Sequence, residues 1–374
     1  MEIGITGKPS SGKSSFFKAA TMIDIPISAR PFTTIKPNIG VSYVSSPCPC
    51  KGLNVICNPK NSLCIERTRF IPIKIWDLPG IIRGAHEGRG LGLEFLNKIV
   101  QTEILIHIVD TSGKTDSEGN PTESHDPIKD IQFLNEEIEL WFEDVIKRNL
   151  EKIQDPKKAE GILAGIGIKQ KHIEEAIKKV GLHPEKLAKE LRKLSKPIVI
   201  AANKIDIPSS AANFNRLMET IKEPVIPCSA ESEIALRAAS KKGLINYVPG
   251  RSVFSIKGEL KEEQKRALEI IKKNVLEKYG STGVQYALNI AVLDVLKYIP
   301  VYPVENENKF SSKKGDVLPD AFLMPPGSTA KDLAFAVHTD IGQKFAGAID
   351  ARTKKRIGED YILKKNDIIK ILTR

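Results

Sequence analysis

The chain has 374 residues, a formal net charge of +11 and a pI near 9.2. That length has room for about two or three domains, and the basic balance points to an acidic partner, of which nucleic acid is the commonest. No uncharged apolar run approaches the length of a membrane span, and the first strand begins at residue 2, which leaves no room for a leader; a cytoplasmic protein with no membrane contact is expected.

Residues 2–6 (Glu-Ile-Gly-Ile-Thr) read as a short buried strand and residues 14–21 as the start of a helix. Between them stands Gly7-Lys8-Pro9-Ser10-Ser11-Gly12-Lys13-Ser14, a full G-x-x-x-x-G-K-S/T loop in the strand-to-helix setting that the motif requires. Gly7 and Gly12 let the backbone approach a ligand closely. Successive N–H groups and the helix N-terminus then face one anion, so Pro9, Ser10, Ser11, Gly12, Lys13, Ser14 and Ser15 are the expected phosphate-binding set. Lys13 is expected to reach the β- and γ-phosphates and the Ser14 hydroxyl to bind Mg²⁺. Thr33-Thr34 follow on a segment read as mobile, and the Thr34 hydroxyl could close over Mg²⁺ only when a third phosphate is present.

Strands are expected near 39–44 and 69–76, with irregular chain between them marked by Pro47, Pro49, Gly52 and Pro59. Cys48, Cys50, Cys57 and Cys64 fall in that chain. Their spacing lacks paired C-x-x-C knuckles, and three readings stay open: a tetrahedral Zn²⁺ site, a disulfide, or free thiols. Cys228 reads as a buried structural thiol. The strand ending at Trp76 delivers Asp77, whose carboxylate suits a metal held through water, and Asp77-Leu78-Pro79-Gly80 brings Gly80, whose N–H can approach a γ-phosphate.

Leu105 to Asp110 is another buried strand, and residues 111–126 read as a long loop. Asp126 then caps a long helix with Pro127 in its first turn, carrying the stripe Ile131, Leu134, Ile138, Trp141 and Val145. Further helices are expected near 157–163, 170–180 and 184–194. The apolar strand 197–202 delivers Asn203-Lys204-Ile205-Asp206 at its C-terminal end, where open α/β sheets bind ligands. Ionised Asp206 accepts from both guanine donors, N1–H and the 2-amino group, and adenine offers no match; losing a designed polar contact discriminates by about 10⁴-fold. Lys204 can lie along the base plane, Ser229 can steady Asp206, and Ala230 can offer its N–H to the base. Helices follow near 231–242, 259–279 and 283–298, the last with Thr282 and Gln285 as a capping box. Pro300 and Pro303 mark a boundary. The tail is read as a strand at 321–324, a helix at 330–338 capped by Ser328 or Thr329, and strands at 345–350 and 367–372, with a basic patch of Arg352, Lys354, Lys355, Arg356, Lys364 and Lys365.

Five motifs in this order spell a guanine-nucleotide switch, and their surroundings resemble the Obg family of GTPases. Pro31-Phe32-Thr33-Thr34-Ile35-Lys36-Pro37-Asn38-Ile39-Gly40-Val41 is similar to that family's switch I, and the run from Asp77 to Gly92, with its Gly84-Ala85-His86-Glu87-Gly88, to its switch II. The likeness is greatest to the Obg-like YchF subfamily in its archaeal form and covers essentially the whole chain. It implies an α/β fold, a P-loop NTPase G domain (residues 1–126 and 196–300, with a Cys-containing hairpin at 44–70), a helical insertion at 127–195, and a small β-grasp TGS domain at 301–374 associated with RNA and ribosome contacts. The implied function is a Mg²⁺-dependent switch between GTP and GDP, linked to the ribosome or to structured RNA in translation. Many YchF members carry an altered base motif and prefer ATP, whereas this chain keeps Asn-Lys-x-Asp. Ser10 stands where many relatives carry an Asn that supports potassium-stimulated hydrolysis.

Where Ras-like switches place a water-orienting Gln, this chain has Ile81, so slow basal turnover of about 10⁻⁴–10⁻² s⁻¹ is expected. Lys13, Thr34 and Gly80 are the expected catalytic groups, and His86 is the candidate for orienting water, against a purely local packing role. Two alternatives stay open: an RNA-binding scaffold whose nucleotide site barely turns over, and an ATP-using relative. The oligomeric state is not legible.

Overall fold

Long runs of Ile, Val, Leu and Ala bounded by polar turns make the strands, and buried stripes at helical spacing make the helices. The computed structural model describes residues 1–22, 39–80, 84–85 and 92–374. In chain order its first seven strands are β1 (Glu2–Thr6), β2 (Ile39–Pro47), β3 (Leu63–Ile65), β4 (Thr68–Asp77), β5 (Ile104–Asp110), β6 (Ile198–Asn203) and β7 (Val225–Pro227). The described chain divides into two compact units. One holds Met1–Met22, residues 39–40 and Lys74–Ala291; the other holds Val41–Ile73 and Val292–Arg374.

In the first unit the end of β4, then β1, β5, β6 and β7 lie side by side and parallel. β5 and β6 are buried along their whole length, as expected for central strands covered on both faces. The register sets Ile5 beside Asp77, Thr6 beside His107 and Asp110 beside Asn203. Every motif-bearing loop of this unit therefore leaves the same edge of the sheet. Helix Lys13–Thr21 follows the phosphate loop with Phe16, Ala19 and Ala20 buried.

Helix Pro127–Arg148 begins as the sequence implies: the Asp126 side chain accepts from the Ile128 N–H and Pro127 opens the first turn. Its core side is Ile131, Leu134, Ile138, Phe142 and Ile146, with Trp141 and Val145 half-buried beside it. Helices Pro156–Leu163, Gln170–Val180 and Pro184–Ser195 complete an all-helical stretch. After helix Ala230–Lys241 comes a small hairpin of β8 (Ile245–Tyr247) and β9 (Phe254–Ile256). The expected capping box at Thr282 and Gln285 is not formed. Gly283 holds the N-cap position without a side-chain bond, because the Thr282 hydroxyl donates to the buried Glu233 carboxylate instead.

The second unit joins the segment around β2 and β3 to the C-terminal module. β3 and the start of β4 form a hairpin whose two turn residues, Glu66 and Arg67, both have positive φ, the geometry that matches strand twist in two-residue loops. The module contains β10 (Ile299–Val304), β11 (Phe322–Met324), β12 (Phe345–Asp350), β13 (Arg356–Ile357) and β14 (Ile368–Thr373), in the order β11-β10-β14-β12-β13. Helix Ala330–Val337, capped by Thr329 with Asp332, buries Leu333 and Ala334 against this sheet. Residues 44–70, read from sequence as part of the nucleotide domain, group with the module instead, because Cys48, Cys50 and Ile71 share one apolar cluster with Tyr302, Val304 and Leu318.

Candidate functional site

At the carboxyl edge of the parallel sheet, the loop after β1 turns into helix Lys13–Thr21 around Gly12, which has φ 91°. A Cβ there would sit 2.1 Å from Asn203 Nδ2, so only glycine fits. Ser10 also has positive φ, 61°. The turn opens into a cleft of about 540 Å³ lined by Pro9, Ser10, Gly12, Lys13, Ser14, Ser15, Gly80 and Lys204, a size that suits a small polar ligand. A second cleft of about 510 Å³, walled by Val253, Phe254, Ile256 and Leu260, has no such backbone cradle.

Lys13 Nζ donates to the Leu78 carbonyl at 2.6 Å and lies 3.8 Å from Asp77 Oδ1. Burial lowers the Lys13 ammonium's pKa, with Asp77 opposing; burial raises the Asp77 carboxyl, with Lys13 opposing. Each charge is thus partly desolvated and incompletely compensated. Among the described residues Asp77 Oδ1 is buried with no hydrogen-bond partner, and Ser14 is exposed at the opening of the helix. An orphaned carboxylate oxygen and a free hydroxyl beside a phosphate cradle fit a hydrated Mg²⁺, which takes few protein oxygens. A side chain at Gly80 would come within 3.5 Å of the Gly7 carbonyl and against Pro9, so the backbone at Gly80 lies close to the phosphate loop.

Asn203 braces the loops on either side of it. Its Nδ2 donates to the Ser11 carbonyl at 3.0 Å, and its Oδ1 accepts from the Ala230 N–H at 3.1 Å. The sequence reading gave that N–H to the base; in the structure Asn203 takes it. Ser229 likewise serves a different end from the one expected, since its buried hydroxyl caps helix Ala230–Lys241 through Ser232 and does not touch Asp206. Lys204, at φ 64°, sends its ammonium to Asp110 Oδ2 at 2.8 Å. Burial alone would raise the Asp110 carboxyl, but Lys204, Ser112 and Thr115 together hold it below its ordinary range. Asp206 is half-buried at the mouth of the same edge. Thr34, Ile81 and His86 lie outside the described residues.

Four residues of this neighbourhood escape sequence motifs. Asp110 is signalled only by its place at the end of a buried strand. Lys8, a variable position of the loop motif, is buried, bonds the Thr115 carbonyl at 2.7 Å and pairs with Asp130 at 2.9 Å, and Asp130 also meets His125 at 2.8 Å. Glu137, on the same helix as Asp130, accepts from the Gly84 N–H at 2.9 Å. One helix of the insertion thereby bonds both the phosphate loop and the Gly84 N–H.

Comparison with known proteins gives the family. Residues 2–147 match the model of a 50S ribosome-binding GTPase, residues 201–306 that of the Obg-like GTPase YGR210-like, G4 motif-containing domain, and residues 310–373 the TGS domain. An uncharacterized GTP-binding protein of Methanocaldococcus jannaschii is 48% identical over 99% of this chain and 98% of its own. The chain belongs to the Obg-like GTPases. A GTP-binding protein from Pyrococcus horikoshii has the same architecture, with a TM-score of 0.78 at 38% identity and full coverage of both chains. The YchF GTPase of Schizosaccharomyces pombe shares the fold at a TM-score of 0.60 and 18% identity, over 100% of this chain and 97% of its own. This Obg-like GTPase is therefore a P-loop enzyme that hydrolyses GTP, and its family implies GTP, GDP and Mg²⁺ as ligands. Among the described residues, no helix is long and apolar enough to cross a membrane.

Proposed function

We propose that this Obg-like GTPase is a slow, Mg²⁺-dependent guanine-nucleotide switch whose nucleotide state governs binding to the ribosome or to structured RNA in the cytoplasm. The observation that carries the switch is the convergence of the phosphate loop, Asp77, Gly80 and Lys204 on one cleft. Lys13 and the loop N–H groups bind and orient the phosphates, Gly80 meets the γ-phosphate through its N–H, and Asp206 selects guanine. Ser14, Asp77 and Thr34 would hold Mg²⁺, which when bound neutralises phosphate charge during transfer. Phosphoryl transfer depends mainly on positioning and charge, so these groups support a slow basal rate without a Gln after Gly80. His86 is the residue we assign to orienting water.

The ribosome or RNA link rests on three supports. The net charge is +11, the matched nucleotide-domain model is described as a ribosome-binding GTPase, and Arg352, Lys354, Lys355, Arg356, Lys364 and Lys365 are all exposed on the TGS domain. Such contacts give affinity through phosphates without sequence choice. The test is phosphate release from GTP, with and without ribosomes, by the wild type and by His86→Ala. Acceleration by ribosomes, and loss of turnover in His86→Ala with GTP binding intact, are expected. Nucleotide-independent ribosome binding, or none, would remove the link, and an unchanged rate in His86→Ala would remove His86.

A further inference from the structure

The four cysteines of the arm between β2 and β4 have no part in the nucleotide site. All are free thiols, and their four sulfur atoms lie within 4.8 Å of one another. Cys48 and Cys57 are 3.8 Å apart and Cys50 and Cys64 4.0 Å apart. A zinc ion with Zn–S bonds of about 2.3 Å sets the edge of its sulfur tetrahedron at about 3.8 Å, close to the 3.8 and 4.0 Å of these two pairs. An iron–sulfur cluster spreads its thiolates over several irons and needs them farther apart. Clustering of cysteines as small apolar core residues does not account for Cys57 and Cys64, which are only half-buried yet turn their sulfurs to the same point.

A second observation comes from charge. Arg69 is fully buried, and among the described residues the partners of its guanidinium are neutral: Ser62 Oγ at 2.9 Å, the Leu318 carbonyl at 2.9 Å and the face of Tyr302 at 5.3 Å. Among the described residues its Nε has no partner, and neither does the buried Tyr302 hydroxyl. A buried cation without an anion is strongly unfavourable, because it gives up its hydration for no opposite charge. Asp320 feels Arg69, but burial keeps its carboxyl above the ordinary range. Four thiolates around a divalent ion carry a net charge of two minus, the sign that this cation calls for. Arg67 adds a bond from Nη1 to the Cys50 carbonyl at 3.2 Å.

We propose that Cys48, Cys50, Cys57 and Cys64 bind one structural Zn²⁺ that holds the arm in the shape in which it packs on the C-terminal module. The arm already meets the module through Asn61, which bonds both the N–H and the carbonyl of Ala321, through Asn58 and Val317, and through Lys60 and Asp316 at 3.0 Å. The irregular chain from Cys48 to Cys64 has little regular structure of its own, and metal binding supplies folding free energy to such chains.

The test uses the full chain purified under reductant. Elemental analysis should find one zinc per chain, and Cys57→Ser or Cys64→Ser should lose it while guanine-nucleotide binding persists. Anaerobic exchange with Co²⁺ should give the charge-transfer and d–d bands of a tetrahedral tetrathiolate, a readout that needs no variant. Arg69→Met should weaken zinc roughly 10–100-fold, as removal of supporting groups around metal ligands does. Zinc that survives in the cysteine variants, the absence of a cobalt spectrum in the wild type, or iron at one per chain would each overturn the assignment.

Discussion

At the residue scale, the nucleotide site depends on buried polar atoms that have one partner each. Asn203→Ala would leave the Ser11 carbonyl and the Ala230 N–H unpaired, at about 1–3 kcal/mol for each buried group. Titration with labelled GDP should show affinity falling at least about 10-fold, since the phosphate loop loses its brace. Asp206→Ala should lose guanine binding without gaining ATP, because removing the acceptor leaves the guanine donors bare and creates no adenine match. His107 makes the pH dependence testable. It is fully buried, its Nδ1 has no partner among the described residues, and burial, with Lys8 adding, lowers its pKa from 6.5 to about 3. A depressed folded-state value means that the neutral ring's contribution is complete above pH 6.5 and is lost as pH falls toward 3. In that window the unfolded chain takes up a proton that the folded chain refuses, and stability should fall by about 1.4 kcal/mol per pH unit. His172, shifted to about 4 mainly by burial, adds a slope of the same sign. Urea unfolding from pH 7 to 4 should show the decline, and His107→Gln should flatten its larger part.

At the element scale, helix Pro127–Arg148 does more than pack. Its stripe was legible from steps of three and four as far as Ile138, after which the buried side drifts to Phe142 and Ile146. Such drift follows from a turn of 3.6 residues, and neighbouring helices decide which of Trp141 and Phe142 goes inside. No pattern revealed that Asp130 and Glu137 are acceptors for the nucleotide loops, since a carboxylate near an apolar stripe usually faces water. Asp130→Ala would strand the buried Lys8 ammonium, a change worth about 3–5 kcal/mol when a buried pair loses one partner. Glu137→Leu would strand the Gly84 N–H, at about 1–3 kcal/mol for that group. Thermal unfolding should find both variants less stable than the wild type, and amide exchange at Gly84 should rise in Glu137→Leu; wild-type stability in both variants would show that neither contact matters. Strand β10 shows another limit of local reading. Pro300 and Pro303 mark a boundary in the sequence, yet they lie in a central strand. The Tyr302 N–H donates to the Asp367 carbonyl on the β14 side, so by alternation position 300 faces that side and position 303 the β11 side. Pairing with β14 begins at Tyr302 and pairing with β11 ends at Val301, and neither proline removes a ladder bond.

At the scale of the whole molecule, the two units hold different chemistry and should respond to different ligands. GDP at 100 times its dissociation constant should stabilise the unit that binds it by about 2.7 kcal/mol. Calorimetry should show the nucleotide raising a transition that Lys13→Ala leaves where it is without ligand. Failure of GDP to shift any transition would count against the cleft as the nucleotide site.

The sequence by itself determined the order of the motifs, the strand-to-helix setting of the phosphate loop, the cap and start of the insertion helix, and the membership that these imply. Those features are local: a few adjacent residues fix a backbone turn or a cap, and their neighbours report it. The tertiary structure decided which partners the buried polar atoms take. Ala230 gives its N–H to Asn203, Thr282 its hydroxyl to Glu233, Lys8 its charge to Asp130, and the cysteine arm joins the C-terminal module. Each of these pairings spans a long stretch of chain, and such contacts are chosen by burial and strand register, which no short window of sequence contains.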